Sequence, residues 1–388
     1  MRLRKSAASV LYALLAGFAA ALCTGATAAE TENAEAARRQ VAGLVGQLGD
    51  DSFAERERAS KALVELGLVT RPALSEALQN PDAEIRSRAA RILAVVLEAD
   101  FRARLEAFAS DVEGKHDHHL PAWQKARAVL GEDGTARALF VEMLRAEPGL
   151  LEAYEAGSKP AGEVFTVRCQ QLQQLMQFAG GQQQISLGSV AALLLVGSSD
   201  AVALEDLNGN QLYSLLHQPA FQTGARAGAS SGILKKMLGV LVTKKASANV
   251  EFQNLMLACN FELKQGLDLA VRLLKDGGPQ HVRQYALLVA ARFGTKEQIP
   301  AIEPLLKDTT LCMRHRINDR EVSIEIRDIA LATLVHLSGQ QVKDFGFEQA
   351  QANPQMVFNP GSLSLKDDAK RTEALKKWTD WSAANLKK

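Results

Sequence analysis

Asp82-Ala83-Glu84-Ile85-Arg86-Ser87-Arg88-Ala89 says more about architecture than any other stretch of this 388-residue chain. Asp82 stands where a helix would be capped, and an apolar residue, an arginine and an alanine follow at helical spacing. Sliding the chain on itself by 30 residues lays 48–67 over 78–97. Leu48 meets Leu78, Arg56 meets Arg86, Arg58 meets Arg88, Ala59 meets Ala89 and Leu63 meets Leu93. Repetition at such a period is the mark of a stacked array. Each unit reads as a short helix, a turn and a second helix. In the first, Asp51-Ser52 is expected to open a helix with a capping side chain and Gly67 to close it. In the second, Asn80-Pro81-Asp82 makes the turn, and Ile85, Ala89, Ile92, Leu93 and Val96 follow along one helical face.

The kernel of the unit is an apolar residue, Arg, two residues, then Ala. It returns as Val282-Arg283-Gln-Tyr-Ala286 and as Ile326-Arg327-Asp-Ile-Ala330, with a weaker copy at Glu55-Arg56-Glu-Arg-Ala59. Alanine lets a neighbouring helix approach, and the apolar residue one turn earlier fills the adjoining hole. The arginine lays its stem along the stack and keeps its head in water or on a carboxylate.

In these residues the chain resembles the HEAT-repeat (armadillo-like) family, of the exported bacterial type. Arg56, Ala59, Arg86, Ala89, Arg283, Ala286, Arg327 and Ala330 carry the likeness, which covers about residues 38–98 and 278–340. Two departures stand out: the period is shorter than the usual ~40, and Ser52 replaces the aspartate in the first unit. The resemblance implies an α-solenoid of stacked antiparallel helix pairs, and binding rather than a reaction.

The N-terminus has the features of an export signal. Arg2, Arg4 and Lys5 precede an uncharged, mostly apolar run from Ala7 to Leu22, and Ala26-Thr27-Ala28 offers a small-residue cleavage site. The run is shorter than the ~20 apolar residues of a spanning helix. Leu22 is not the small residue that lipidation at Cys23 needs. Cleavage after residue 29 removes three positive charges and no negative one, leaving 42 basic and 44 acidic side chains, a net −2. That balance excludes a dedicated nucleic-acid binder, and 47% apolar content excludes a disordered chain. Export to the periplasm, cell envelope or exterior would leave Cys169, Cys259 and Cys312, an odd number, in an oxidising compartment.

The expected organisation is a signal peptide at 1–29, HEAT-like pairs at 30–105, degenerate helical repeats at 106–277, HEAT-like helices with an inserted loop at 278–346, and a loop with a capping helix at 347–388. Leu187 to Val196 is apolar almost all round and should be buried. No sustained period-2 alternation argues for a sheet, so the fold expected is all-α. Arg314-His315-Arg316 with Arg320 reads as a basic loop inserted between helices. A long segment with Phe345, Phe347 and Phe358 should be packed down, and the last helix, about 367–386, places Ala374, Trp378 and Trp381 on one side.

Catalytic signatures are weak. Gly228-Ala-Ser230-Ser-Gly232 has the letters of a nucleophile elbow but no strand leading into it. Asp206-Leu-Asn208-Gly-Asn210 starts like a calcium loop, yet lacks the later ligands and reads as a turn at Asn208-Gly209. His116, His118 and His119, with Asp111 close by, are the one cluster of metal-ligand types. The leading expectation is an exported, non-enzymatic scaffold with no cofactor, no nucleic acid, no spanning helix after cleavage, and a protein or cell-envelope component as partner. The rival is a metal-binding protein or hydrolase built on the His116–His119 loop.

Overall fold

A computed structural model describes residues 35–178, 184–317 and 320–386; the expected signal peptide lies outside them. The protein is predominantly helical and contains no helix, among the described residues, long and apolar enough to cross a membrane. It divides into two compact units, with the boundary between Ser110 and Asp111.

The first unit holds α1 (35–47), α2 (Phe53–Leu66), α3 (Arg71–Ala77) and α4 (Ala83–Ser110). Its core is Leu48, Ala59, Leu63, Leu74, Ile85 and Ala89 with their neighbours. The 30-residue repeat is also a repeat of hydrogen bonds. Arg56 Nη1 donates to the carbonyls of Asp50 and Asp51 (2.6 and 3.1 Å), and Arg86 Nη1 donates to those of Asn80 and Pro81 (2.7 and 2.8 Å). Each arginine thus reaches back six and five residues to close the turn before its own helix. The turn itself is shaped by Asp50, which accepts from the Ser52 amide, and by Asn80, which accepts from the Asp82 amide. Asp82 caps α4 through the Glu84 amide at 2.7 Å, whereas Ser52 makes no capping bond with its side chain, contrary to expectation.

The second unit begins with α5 (Trp123–Leu130) and α6 (Gly134–Ala146). Helices then come in pairs: α7 (Pro148–Ala156) with α8 (Ser158–Phe178), and α9 (Leu187–Ser198) with α10 (Asp206–Leu216). After α11 (Pro219–Ala227) come α12 (Ser231–Thr243) with α13 (Ala248–Phe261), then α14 (Gly266–Asp276) with α15 (Gln280–Phe293). Contacts run within each pair and also from pair to pair. α7, α9, α12 and α14 touch in succession, and so do α8, α10, α13 and α15. The succession continues through the short α16 (Ile299–Ile302) and the later α17 (Ile326–Leu337), which touch α14 and α15 respectively. At the centre, α9 is buried from Gly188 to Ser198, because apolar residues on all its faces meet helices on all sides. Lys244 closes its end, donating from Nζ to the carbonyls of Gly197, Ser199 and Val202.

Three further expectations need correction. The basic segment is no loop but a hairpin, β1 (Leu311–Ile317) paired antiparallel with β2 (Arg320–Glu325). The segment after α17, expected as a loop, carries a short pair, β3 (Ala352–Asn353) with β4 (Val357–Phe358), within a fold that is predominantly helical, consistent with the all-α class expected. Asn208-Gly209 is no turn: it lies in the first turn of α10, where Glu205 and Asn208 form a reciprocal capping box.

Phe345, Phe347 and Phe358 are all buried. The final helix, α18 (Asp368–Asn385), is capped by Asp367 and buries Arg371, Ala374 and Trp378. Trp381 packs partly buried with its ring centre 5.5 Å from that of Trp378. The helix is fastened to α17 by an ion pair that is buried on both sides, Arg371 Nε to Asp328 Oδ1 at 2.7 Å.

Candidate functional site

The His116–His119 loop is organised by Asp111. Asp111 Oδ1 accepts from the Lys115 amide at 3.0 Å, and Oδ2 accepts from the His116 amide at 3.0 Å. His118 Nε2 lies 3.0 Å from the same Oδ2, and Arg137 Nη2 lies 3.7 Å from it. The His116 amide, then the His118 ring, hold the Asp111 carboxyl well below the usual carboxylate range. Since a carboxylate only accepts, the proton of His118 sits on Nε2, so that nitrogen points a hydrogen, not a lone pair, at the aspartate. His119 turns instead toward Asp117, Nδ1 to Oδ2 at 3.6 Å, with its own backbone in the left-handed region. His116 is exposed and meets His118 edge to face, ring centres 6.3 Å apart. Among the described residues no group of three or more His, Cys, Asp or Glu is placed to hold a metal ion. The loop is a carboxylate-centred turn.

Ser230 of the G-x-S-x-G string precedes α12 in a helix-to-helix connection, away from any strand. Cys169 and Cys259 are buried and free, and burial pushes their thiols up to about 12 and about 11. Thiols held so far above neutral pH are poor nucleophiles.

The repeat residues divide by side. Ala59, Ala89, Ala286 and Ala330 are fully buried at helix contacts. The arginines differ between copies: Arg56 and Arg86 close turns, whereas Arg283 pairs with Asp308, and Arg327 with Glu325 at 2.7 Å. Between α2 and α4 lies an exposed face of mixed character. Arg88 bridges the two helices, Nη1 to Glu57 at 2.7 Å and Nε to Glu84 at 2.6 Å. Phe53 stands 64% exposed at its edge, with the Arg56 and Arg88 guanidinium groups 5.7 and 5.9 Å from its ring centre. Val64 and Val95 line the shallow groove beside Arg88.

One further cleft escaped the sequence reading. Asn210, Tyr213, Ser214 and His217 follow one face of α10 at i, i+3, i+4 and i+7. Gln253, Met256, Leu257 and Asn260 follow one face of α13 at the same spacing. Gly209 allows the approach: a Cβ there would meet Val250 Cγ2 at 2.4 Å. Gln253 Nε2 donates to Asn210 Oδ1 at 2.7 Å across the join, and the Tyr213 hydroxyl donates to Asn254 behind it. Burial holds the Tyr213 phenol far above its ordinary value, so it stays a neutral donor. The signal in the sequence was the matched spacing of amide-bearing faces 43 residues apart, which a search for arginine and alanine passes over.

No protein-family model matches the chain, and no curated protein matches it.

Proposed function

We propose that this chain is an exported, non-enzymatic α-solenoid of HEAT-like helix pairs that binds a protein or a cell-envelope component. The carrying observation is the succession of contacts from pair to pair, first helix to first helix and second to second, from α7 through α17. Stacked pairs cover one another's apolar faces and leave a continuous surface of side chains for a partner. The duplicated arginine turns of the first unit support the same reading. Export rests on the character of residues 1–29. The α2–α4 face, with Phe53, Glu57, Arg88 and Val95, is the surface proposed to meet the partner. It offers an exposed aromatic flanked by arginines, the residue types enriched at interface centres.

The test is a cross-linking pull-down from the native envelope with the chain from residue 30 onward, beside a Phe53→Ala/Val95→Asp variant. A specific partner captured by the first and lost by the second, with unchanged far-UV circular dichroism, supports the proposal. Equal capture by both removes the α2–α4 face from it, and no specific capture argues against a binding role.

A further inference from the structure

The cleft between α10 and α13 has a volume of about 370 Å³, inside the ~300–1,000 Å³ range of small-ligand sites. None of its eight lining residues is Asp, Glu, Lys or Arg, although such residues are 23% of the chain. A phosphate, carboxylate or ammonium ligand would find no opposite charge in that lining. A purely apolar ligand would cover hydroxyl and amide groups without replacing their hydrogen bonds to water, at a cost.

Several polar groups there remain open to a ligand. Among the described residues, the Ser214 hydroxyl and the Asn260 amide form no hydrogen bond with the protein. His217 Nδ1 donates to the Tyr213 carbonyl at 2.7 Å, which leaves Nε2 uncommitted. Asn210 receives the Gln253 amide on its oxygen and keeps its own NH₂ group. Together these supply donors and acceptors from short side chains, with no carboxylate, ammonium or guanidinium among them. Met256, half-buried, adds an apolar surface, with Leu257 buried behind it.

We propose that this cleft binds a neutral saccharide. A sugar ring carries hydroxyls that both donate and accept, and a C–H face that rests on apolar side chains. An extended peptide also has neutral groups, but repeats them about every 7 Å along a strand. The lining comes from one helix of each of two pairs, which suits a compact ligand better than a chain of residues. The inference is independent of the protein or envelope partner proposed for α2–α4.

The experiment applies the chain from residue 30 onward to an array of neutral and charged glycans, with isothermal titration of any sugar retained. Acetyl-tetraalanine amide serves as the peptide probe. Expected is retention of at least one neutral saccharide, with affinity falling about tenfold or more in Ser214→Ala/Asn260→Ala, the loss of two ordinary hydrogen bonds. Should that variant fail to fold, His217→Ala, at an exposed position, is read in its place and should also weaken binding. The proposal is overturned if no glycan is retained or only charged glycans are. It is equally overturned by an affinity indifferent to the substitutions, or by tighter binding of the peptide than of any sugar.

Discussion

Asp111 and Asp328 are the same residue type placed in opposite circumstances. Asp111 gathers loop N–H groups, and its carboxyl is held below the ordinary range. Its stabilising contribution is present above the ordinary carboxylate pKa and is lost only as pH falls through the depressed folded value. Amide exchange at Lys115 and His116 should therefore stay slow at pH values where a free aspartate is half protonated. Asp111→Ala should abolish that protection, and unchanged protection would show that the loop is held by other groups. Asp328 is 1% exposed, and burial raises its pKa against the opposing pull of Arg371. That contribution is present below the ordinary carboxylate value and fades as pH rises through the raised one. At neutral pH the pair is best probed by breaking it. Asp328→Asn removes the carboxylate that Arg371 Nε and Nη2 both bond, leaving Arg371 with Asp368 and the Ser323 carbonyl, and should cost about 1.5–3 kcal/mol in urea denaturation. Lys376→Ala, which breaks the exposed pair with Asp380, should leave the midpoint where it is. Residue types made the histidine loop conspicuous in the sequence, but not its organisation. That depends on backbone N–H groups converging on one carboxylate, and no spacing of side chains reveals it.

Helices were legible where one face, or every face, was apolar. α9 is the clear case, its buried run foreshadowed by Leu187 to Val196. The β1–β2 hairpin was not, because only Val322 and Ile324 alternate inward on β2 while Arg314, His315 and Arg316 mask the period on β1. Asn208-Gly209 misled for a different reason. Asn-Gly favours turns, but here the Asn208 side chain caps the helix and Gly209 serves close packing. Gly209→Ala gains helix propensity of up to about 1 kcal/mol, yet its methyl meets Val250, and overpacking costs about 1–3 kcal/mol. The substitution should lower the melting temperature, and adding Val250→Ala should recover part of the loss. Recovery absent from the double variant would mean that α10 and α13 do not meet there. Ala89→Leu, at a fully buried position between helices of the first unit, should destabilise by a similar about 1–3 kcal/mol. An unchanged denaturation midpoint would place Ala89 at the surface.

For the molecule as a whole, the sequence pattern of Ile or Val, Arg and Ala is legible only at residues 38–98 and 278–340. Between them the pair-to-pair contacts persist without that signature. The joins there are made by other means, such as the Gly209–Val250 approach, the Tyr213–Asn254 bond and the Glu147–Arg168 pair at 2.6 Å. Different side chains that perform one packing task leave no common letter pattern. The C-terminal helix was legible from its tryptophans, but its buried ion pair was not. Deleting residues 366–388 would take Ala374 and Trp378 out of the core, remove Lys377 from the Phe345 ring and leave Asp328 without Arg371. The truncated protein should unfold at lower denaturant and aggregate; an unchanged midpoint would show that α18 adds nothing to the stability of the fold. The central claim is that second helices of successive pairs pack directly on one another. A cysteine at Gly209 would lie with its Cβ 3.7 Å from the Cβ of Val250, within the range of a disulfide. In a background with Cys169, Cys259 and Cys312 replaced by alanine, Gly209→Cys/Val250→Cys should oxidise to an intramolecular disulfide, seen by mass spectrometry of a digest. Gly209→Cys/Ala286→Cys, which reaches from α10 past α13 to α15, should not. Failure of the first to form, or formation of the second, would contradict the stacking.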